Sequence, residues 1–151
     1  MLEEYLTGRD CAPFGDYVSI EQLVQDGEIT DIAVTGKFPM VPPFRETGRF
    51  WPAPLDPGET AEIFSLARRA VAALGITTGL THTEVKHTPD GPRLIEVNGR
   101  LGGGINELSG RAIGVNLIGL AGRIALGERV TVPALPAGSS TRSPTPPPPG
   151  V

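Results

Sequence analysis

Residues 82–104 read "HTEVKHTPDGPRLIEVNGRLGGG", in which two β-prone runs flank a short polar turn and three consecutive glycines close the stretch. Pro89 suits the first corner of a type I turn because its ring holds φ near the required value. Gly91 suits the left-handed position that ends a three-residue loop with a bulge. The stretch therefore predicts an antiparallel hairpin with a three-residue loop.

The loop length decides which side chains of the hairpin share a face. With three residues in the loop, Thr88 faces Pro92, and counting back two by two places Glu84 directly opposite Glu96. A two-residue loop would instead put the two glutamates on opposite faces. The prediction that the carboxylates meet depends on the turn.

Two carboxylates opposed across a strand pair repel each other, and a divalent cation reverses the sign of that interaction. The same register places Asn98 on this face opposite His82. The oxygen ligands of Glu84, Glu96 and Asn98 suit Mg²⁺, which keeps waters and completes its octahedron with nucleotide phosphates. A solvated strand face, on which Lys86 and His82 offset the glutamates, explains the spacing about equally well.

A basic residue and a glycine run follow the hairpin. If the strand continues to Arg100, its guanidinium points to the same side as the carboxylates and suits a phosphate or a carboxylate. Backbone amides of Gly102 and Gly103 can approach an anion of a substrate, just ahead of a helix N-terminus. Taken alone, such a run more often marks a flexible turn.

Elsewhere the sequence alternates strand and helix signals. Residues 16–38 predict a hairpin around Asp26-Gly27, and residues 39–55 are proline-rich and predict an irregular surface loop. Residues 56–75 predict a helix capped by Asp56 and stopped by Gly75. Two short helices separated near Gly114 follow the quoted stretch. The fold class is α/β or α+β.

Composition and charge exclude several classes of protein. The 151 residues are 39% hydrophobic with a net charge of −4 and a pI near 5.2, so no basic surface for nucleic acid is expected. One cysteine, Cys11, and no basic-then-apolar leader indicate the cytoplasm. Residues 112–127 are too short and polar to span a membrane. Residues 1–132 predict one domain, and the proline- and serine-rich residues 133–151 predict a disordered tail.

The quoted stretch resembles the metal-binding hairpin in the C-terminal part of the ATP-grasp superfamily, within the carboxylate–amine ligases related to amino-acid ligases. The resemblance implies a partial ATP-grasp fold, with an antiparallel sheet packed by helices. It further implies that Glu84, Glu96 and Asn98 hold Mg²⁺, with Mn²⁺ as a substitute, on the phosphates of ATP. Arg100 would be the catalytic residue, binding the acyl phosphate or the substrate carboxylate.

The same resemblance assigns roles near the N-terminus. "LEEYLTGRD", predicted to begin as a strand, is similar to the hinge strand of the family. Main-chain groups around Glu3 and Leu6 would read adenine, and Asp10 would hold the ribose. Glu46 falls where related ligases place an acid that meets the substrate amine, and Arg49 stands where they often carry histidine. The arginine favours a substrate with an additional acidic group.

The implied activity is ATP- and Mg²⁺-dependent joining of a small-molecule carboxylate to an amine through an acyl phosphate. The family's N-terminal α/β domain and most of its lid, with phosphate-binding lysines, have no counterpart here, where Lys37 and Lys86 are the lysines. A complementary N-terminal half or a homodimer would complete the site. The alternative is a non-catalytic remnant that binds nucleotide or a partner without turnover. Carboxylation, as in biotin-using relatives, ranks last.

Overall fold

The computed structural model describes residues 3–133 and 141–144. In this part of the chain one antiparallel sheet, with strand order β5-β4-β1-β2-β3-β6, is packed by three helices. The strands are β1 Tyr17–Gln25, β2 Glu28–Lys37, β3 Gly48–Trp51, β4 Gly79–Thr88, β5 Gly91–Asn98 and β6 Thr141–Pro144. The helices are α1 Pro57–Ala73, α2 Ile105–Ile113 and α3 Leu117–Ala125. The predicted fold class, an antiparallel sheet packed by helices, is confirmed.

The first hairpin forms where the sequence predicts it. Gln25 pairs with Glu28, so Asp26 and Gly27 make a two-residue turn. Both turn residues have positive φ, 52° and 80°, as the tight turns that match strand twist require. This hairpin supplies the two central strands of the sheet, β1 and β2.

Helix α1 covers one face of the sheet. Its start is confirmed, because the Asp56 carboxylate accepts a hydrogen bond of 2.9 Å from the backbone N–H of Glu59. Gly75 follows its end with φ of 67°. The stripe that the helix buries is made by Ile63, Ala67 and Val71, and the core beneath it includes Val18, Ile20, Val34 and Val85. Leu74, the C-cap residue of the helix, is exposed.

Helices α2 and α3 cover part of the opposite face. Gly114 separates them with φ of 68°, and the Asn116 side chain caps α3 by accepting from the N–H of Gly119 at 2.9 Å. The core here includes Leu23, Ala33, Trp51, Leu80, Ile105, Leu108, Leu117 and Ile124. None of the helices in the described ranges combines the length and apolar character needed to cross a membrane.

The second hairpin has the predicted pairing of Glu84 with Glu96, but its loop differs from the prediction. Thr88 pairs with Gly91, so the loop has two residues, and the prediction of a three-residue loop is wrong. Val85 pairs with Leu94 whereas Glu84 pairs with Glu96, which leaves Ile95 as an extra residue on β5. This bulge shifts the register by one residue and restores the shared face of the two glutamates.

Two other sequence predictions need correction. Residues 3–16 form no strand, and this segment contacts the sheet through bonds such as that from the Arg9 N–H to the His87 carbonyl, 2.8 Å. Residues 39–55 are not wholly a surface loop, since they contain β3 and the fully buried Trp51. The large apolar area of the indole outweighs the prolines around it.

The predicted disordered tail is described in part. Residues 141–144 form β6 against β3, with Phe50 opposite Arg142, so disorder does not hold for these four residues. The open edge of β3 offers unpaired backbone groups, which explains why a segment without apolar residues adds to the sheet. Residues 134–140 and 145–151 of the predicted tail lie outside the described residues.

Candidate functional site

The site occupies the part of the sheet face that α2 and α3 leave uncovered. Alternate residues of a strand point to the same side, so the pairing of Ser19 with Glu84 and of Glu21 with His82 places β1 and β4 side chains together. Glu96, directly across from Glu84 on β5, shares this face. The sheet register therefore collects charged side chains from three adjacent strands.

Glu84 is oriented by a histidine. The His82 Nε2 lies 3.3 Å from Glu84 Oε1, and its Nδ1 lies 2.8 Å from Oε1 of Glu21. Burial lowers the pKa of His82, but the hydrogen bonds to the two carboxylates outweigh burial and raise the pKa to about 9. The hydrogen bond from His82 in turn holds the pKa of Glu84 below its ordinary value. His82 is thus held between two carboxyl groups.

Glu96 and Asn98 lie at the exposed edge of the site. The Asn98 amide Nδ2 donates to Glu96 Oε1 at 2.7 Å, which leaves the Asn98 carbonyl oxygen as a donor atom for a cation. In the described part of the chain, no group of three or more His, Cys, Asp and Glu side chains is arranged to hold a metal. Two carboxylates and an amide nevertheless fit Mg²⁺, which takes one or two protein carboxylates and completes its shell with water and phosphate.

A second charged group centres on Glu46. Its Oε1 accepts from Lys37 Nζ at 2.7 Å and from the Tyr17 hydroxyl at 2.9 Å, and its Oε2 accepts from Arg49 at 2.6 Å. Burial raises the pKa of Glu46, but Lys37 and then Arg49 outweigh it and lower the pKa. Burial followed by the charge of Glu46 raises the pKa of Tyr17. The group carries two positive charges and one negative charge.

Arg49 connects this group to the glycine loop. A Cβ added to Gly103 or Gly104 would lie 3.6 or 3.5 Å from Arg49 Nη1, so the guanidinium lies against the loop. Gly102 packs on the His82 ring, and a Cβ there would come within 2.4 Å of it. The structure therefore brings the predicted substrate-binding residues Glu46, Arg49, Gly102 and Gly103 next to the carboxylates.

Arg100 does not follow its predicted course. Strand β5 ends at Asn98, and Arg100 lies in a bend, exposed, with Nη1 donating to the Leu101 carbonyl at 2.9 Å. The strand therefore does not continue to Arg100, and the condition for its guanidinium to share the side of the carboxylates is not met. The Arg100 guanidinium is accessible to a ligand, but strand β5 does not direct it toward the carboxylates.

The residues predicted to contact nucleotide, Glu3, Leu6 and Asp10, lie together on the irregular segment 3–16. Asp10 accepts a hydrogen bond of 2.9 Å from the N–H of Ala12. It also lines a cavity of about 520 Å³ between this segment and residues 39–44. The segment thus borders a space large enough for a small molecule.

Sequence reasoning missed Glu21 and Tyr17 and underrated Lys37. Lys37 is 2% exposed and donates a hydrogen bond to Glu46. Glu21 is 0% exposed within a strand whose other residues are nearly all buried. A carboxylate inside the apolar run "YVSIEQLV" was the available signal, because burying a charge is costly unless it is paired.

Comparison with known proteins agrees with this architecture. The structure superposes on an L-amino acid ligase from Bacillus licheniformis with a TM-score of 0.68 and 32% identity, over 74% of this chain and 29% of that chain. A biotin carboxylase from Campylobacter jejuni, at 19% identity, gives 0.68 over 86% of this chain and 28% of that chain, and shows the fold alone.

The curated relatives include a ligase and a synthase. An alanine–anticapsin ligase from Bacillus subtilis (strain 168) is 36% identical over 67% of this chain and 22% of its own length. Carnosine synthase 1 from Gallus gallus is 31% identical over 91% of this chain and 14% of its own length. The chain therefore spans about a fifth or less of these relatives.

A family model described as "ATP-grasp in the biosynthetic pathway with Ter operon" matches residues 46–143. The predicted resemblance to ATP-grasp carboxylate–amine ligases is thereby confirmed, with amino-acid ligases among the similar proteins. Since the family model covers well over half of the sequence, the chain belongs to the ATP-grasp family.

Proposed function

We propose that this chain supplies the metal-binding and acceptor side of an ATP-dependent carboxylate–amine ligase. In that reaction a substrate carboxylate oxygen attacks the γ-phosphorus of ATP and ADP leaves. An amine then attacks the acyl carbon, phosphate leaves, and one amine proton is released as the amide forms. The observation that carries the proposal is the direct pairing of Glu84 with Glu96 on a face rich in charged groups.

Magnesium would be held by Glu84, Glu96 and the Asn98 carbonyl, and Mn²⁺ would serve the same oxygen ligands. Bound there, the ion would neutralise phosphate charge during phosphoryl transfer. The contribution of these three residues is to hold oxygen donors in place. The hydrogen bond from Asn98 to Glu96 and that from His82 to Glu84 support this role, because they orient both carboxylates before any ligand binds.

Anionic substrate groups would meet Arg49, the amides of Gly102 and Gly103, and the exposed Arg100. The contact of Arg49 with the glycine loop supports this assignment. Glu46 would face the acceptor amine while Lys37 and Arg49 keep it ionised. Because the Glu46 group has an excess of positive charge, the acceptor is expected to carry an acidic group besides its amine.

Adenine would be read by main-chain groups around Glu3 and Leu6, and the ribose would be held by Asp10. The cavity beside Asp10 supports this placement. A complementary polypeptide or a second copy of the chain would close the site over ATP, in keeping with the share of its relatives that this chain spans. The small-molecule carboxylate and amine are the remaining partners.

The test measures ATP-dependent phosphate release with pairs of amino acids, by the chain alone and with a polypeptide that carries the rest of an ATP-grasp ligase. Glu96→Ala should lower the rate at least about 10²-fold, because metal-ion charge stabilisation is worth several kcal/mol. Glu62→Ala, on the exposed side of α1, is the control and should stay within about two-fold of wild type. Absence of both phosphate release and Mg²⁺-dependent ATP binding in calorimetry would refute the proposal.

A further inference from the structure

A buried carboxylate lies directly behind the proposed metal site. Glu21, in the middle of β1, is 0% exposed, and its Oε1 faces His82 Nδ1 at 2.8 Å. The hydroxyls of Ser19 and Thr35 approach the same oxygen at 3.3 and 3.4 Å. Its other oxygen, Oε2, is buried with no hydrogen-bond partner in the described ranges. The carboxylate therefore interacts chiefly with one ring nitrogen.

The His82 ring is held on three sides. Glu21 Oε1 lies 2.8 Å from Nδ1 and Glu84 Oε1 lies 3.3 Å from Nε2, so each ring nitrogen faces a carboxylate oxygen. Gly102 packs against the ring so closely that a Cβ at this position would overlap Cε1 and Nδ1. A ring held in this way cannot rotate without breaking a buried contact, and the position of its Nε2 is therefore defined.

The position of Nε2 sets the orientation of Glu84. Among the described residues, His82 is the one hydrogen-bond donor to the Glu84 carboxylate, and it binds Oε1. The second oxygen is thereby left for a cation. A ligand carboxylate oriented through a second hydrogen-bonded group is a common arrangement at metal sites, where loss of the outer group weakens metal binding.

We propose that Glu21 is a positioning residue for the metal site, acting through His82 to hold the Glu84 carboxylate in its ligating orientation. This inference rests on the proposed function, since it takes Glu84 to be a ligand. A buried charge pair often stabilises a protein less than apolar residues of similar size, because two charges must be removed from water. A buried Glu–His pair in direct contact with a proposed metal ligand therefore indicates a role beyond packing.

The experiment compares Glu21→Gln, which keeps the volume and one acceptor oxygen but removes the charge, with Thr83→Val. Thr83 is a buried neighbour of Glu84 with an unpartnered hydroxyl, and it points to the opposite face. Mn²⁺ binding in the presence of ATP is measured by electron paramagnetic resonance, and unfolding by urea is measured on the same samples. If Glu21→Gln does not fold, a double variant that carries Glu21→Leu and His82→Leu is measured in its place.

Glu21→Gln is expected to weaken Mn²⁺ binding about 10- to 100-fold, and Thr83→Val is expected to bind as wild type. A purely structural role would instead lower stability and leave the affinity of the folded fraction unchanged. The double variant should fold at least as well as Glu21→Gln while losing Mn²⁺ affinity. Wild-type affinity in a folded Glu21→Gln protein would overturn the inference.

A second readout separates failure of this inference from failure of the proposed function. If the wild type does not bind Mn²⁺ with ATP, the proposed function fails for the chain alone. The ¹³C resonance of the Glu84 side-chain carboxylate, assigned with Glu84→Gln, then decides the positioning role without any ligand. The resonance should move in Glu21→Gln and stay in place in Thr83→Val. A resonance that does not respond to Glu21→Gln would refute the coupling.

Discussion

The charge on His82 should make the stability of the protein fall as the pH rises above neutrality. The chain has two histidines, and only His82 has a raised pKa, about 9 against an ordinary 6.5. A group whose pKa is higher in the folded state stabilises the protein fully below its unfolded pKa. That contribution is lost as the pH rises through the folded pKa. The affected range is therefore pH 6.5 to 9.

The size of the effect follows from the shift. Each pH unit in this range should lower the free energy of unfolding by about 1.4 kcal/mol. The total loss across the range is then about 3 kcal/mol. His87 acts in the opposite sense, because burial and then Arg9 lower its pKa. Its contribution is present above pH 6.5 and is lost as the pH falls through its folded pKa, so it does not offset the loss from His82.

Urea unfolding at several pH values checks this prediction. The single tryptophan, Trp51, is fully buried and reports the transition by fluorescence. His82→Gln should abolish the decline between pH 6.5 and 9, whereas His87→Gln should keep it. His82→Gln should also be less stable near neutral pH, because Glu21 then loses its charged partner. The reasoning is refuted if wild type and His82→Gln show the same dependence on pH in this range.

Two further predictions concern the scaffold. Gly36→Ala should destabilise the protein by about 1–3 kcal/mol, because its Cβ would lie 2.2 Å from the Phe50 ring. Gly110→Ala, in an open position on α2, should raise stability or leave it unchanged in the same urea titration, and equal effects of the two changes would contradict the packing argument. Asp56→Ala should cost about 1 kcal/mol through loss of the cap of α1. Thermal unfolding measures this loss, and an unchanged midpoint would show that the cap adds nothing.

The elements that local chemistry specifies could be predicted from the sequence. The cap at Asp56, the Asp26-Gly27 turn and the helix break at Gly114 each depend on residues within a few positions of one another. The irregular loop was predicted wrongly around Trp51, because the partner surfaces that bury the indole come from distant strands and helices. The sequence around Trp51 gives no information about those surfaces.

For the candidate site, too, the sequence predicted the local features but not the contacts between distant strands. The pairing of Glu84 with Glu96 was inferred correctly, but from a loop that does not form, since the bulge at Ile95 compensates for the shorter turn. Hairpin spacing left a metal site and a solvated face about equally weighted. Only the assembled sheet shows that Glu21 contacts His82 and that His82 contacts Glu84.

The sequence by itself determined that Glu84 and Glu96 belong to one hairpin, that Asn98 follows them and that a glycine loop precedes a helix. Short-range backbone preferences suffice for these features, because the residues are near neighbours along the chain. Tertiary structure alone decided that Glu21 and Lys37 are buried on the same face. Both residues lie in the locally predicted β1–β2 hairpin, but their burial depends on the pairing of β1 with the distant strand β4 and on the packing of the sheet, which local sequence does not specify.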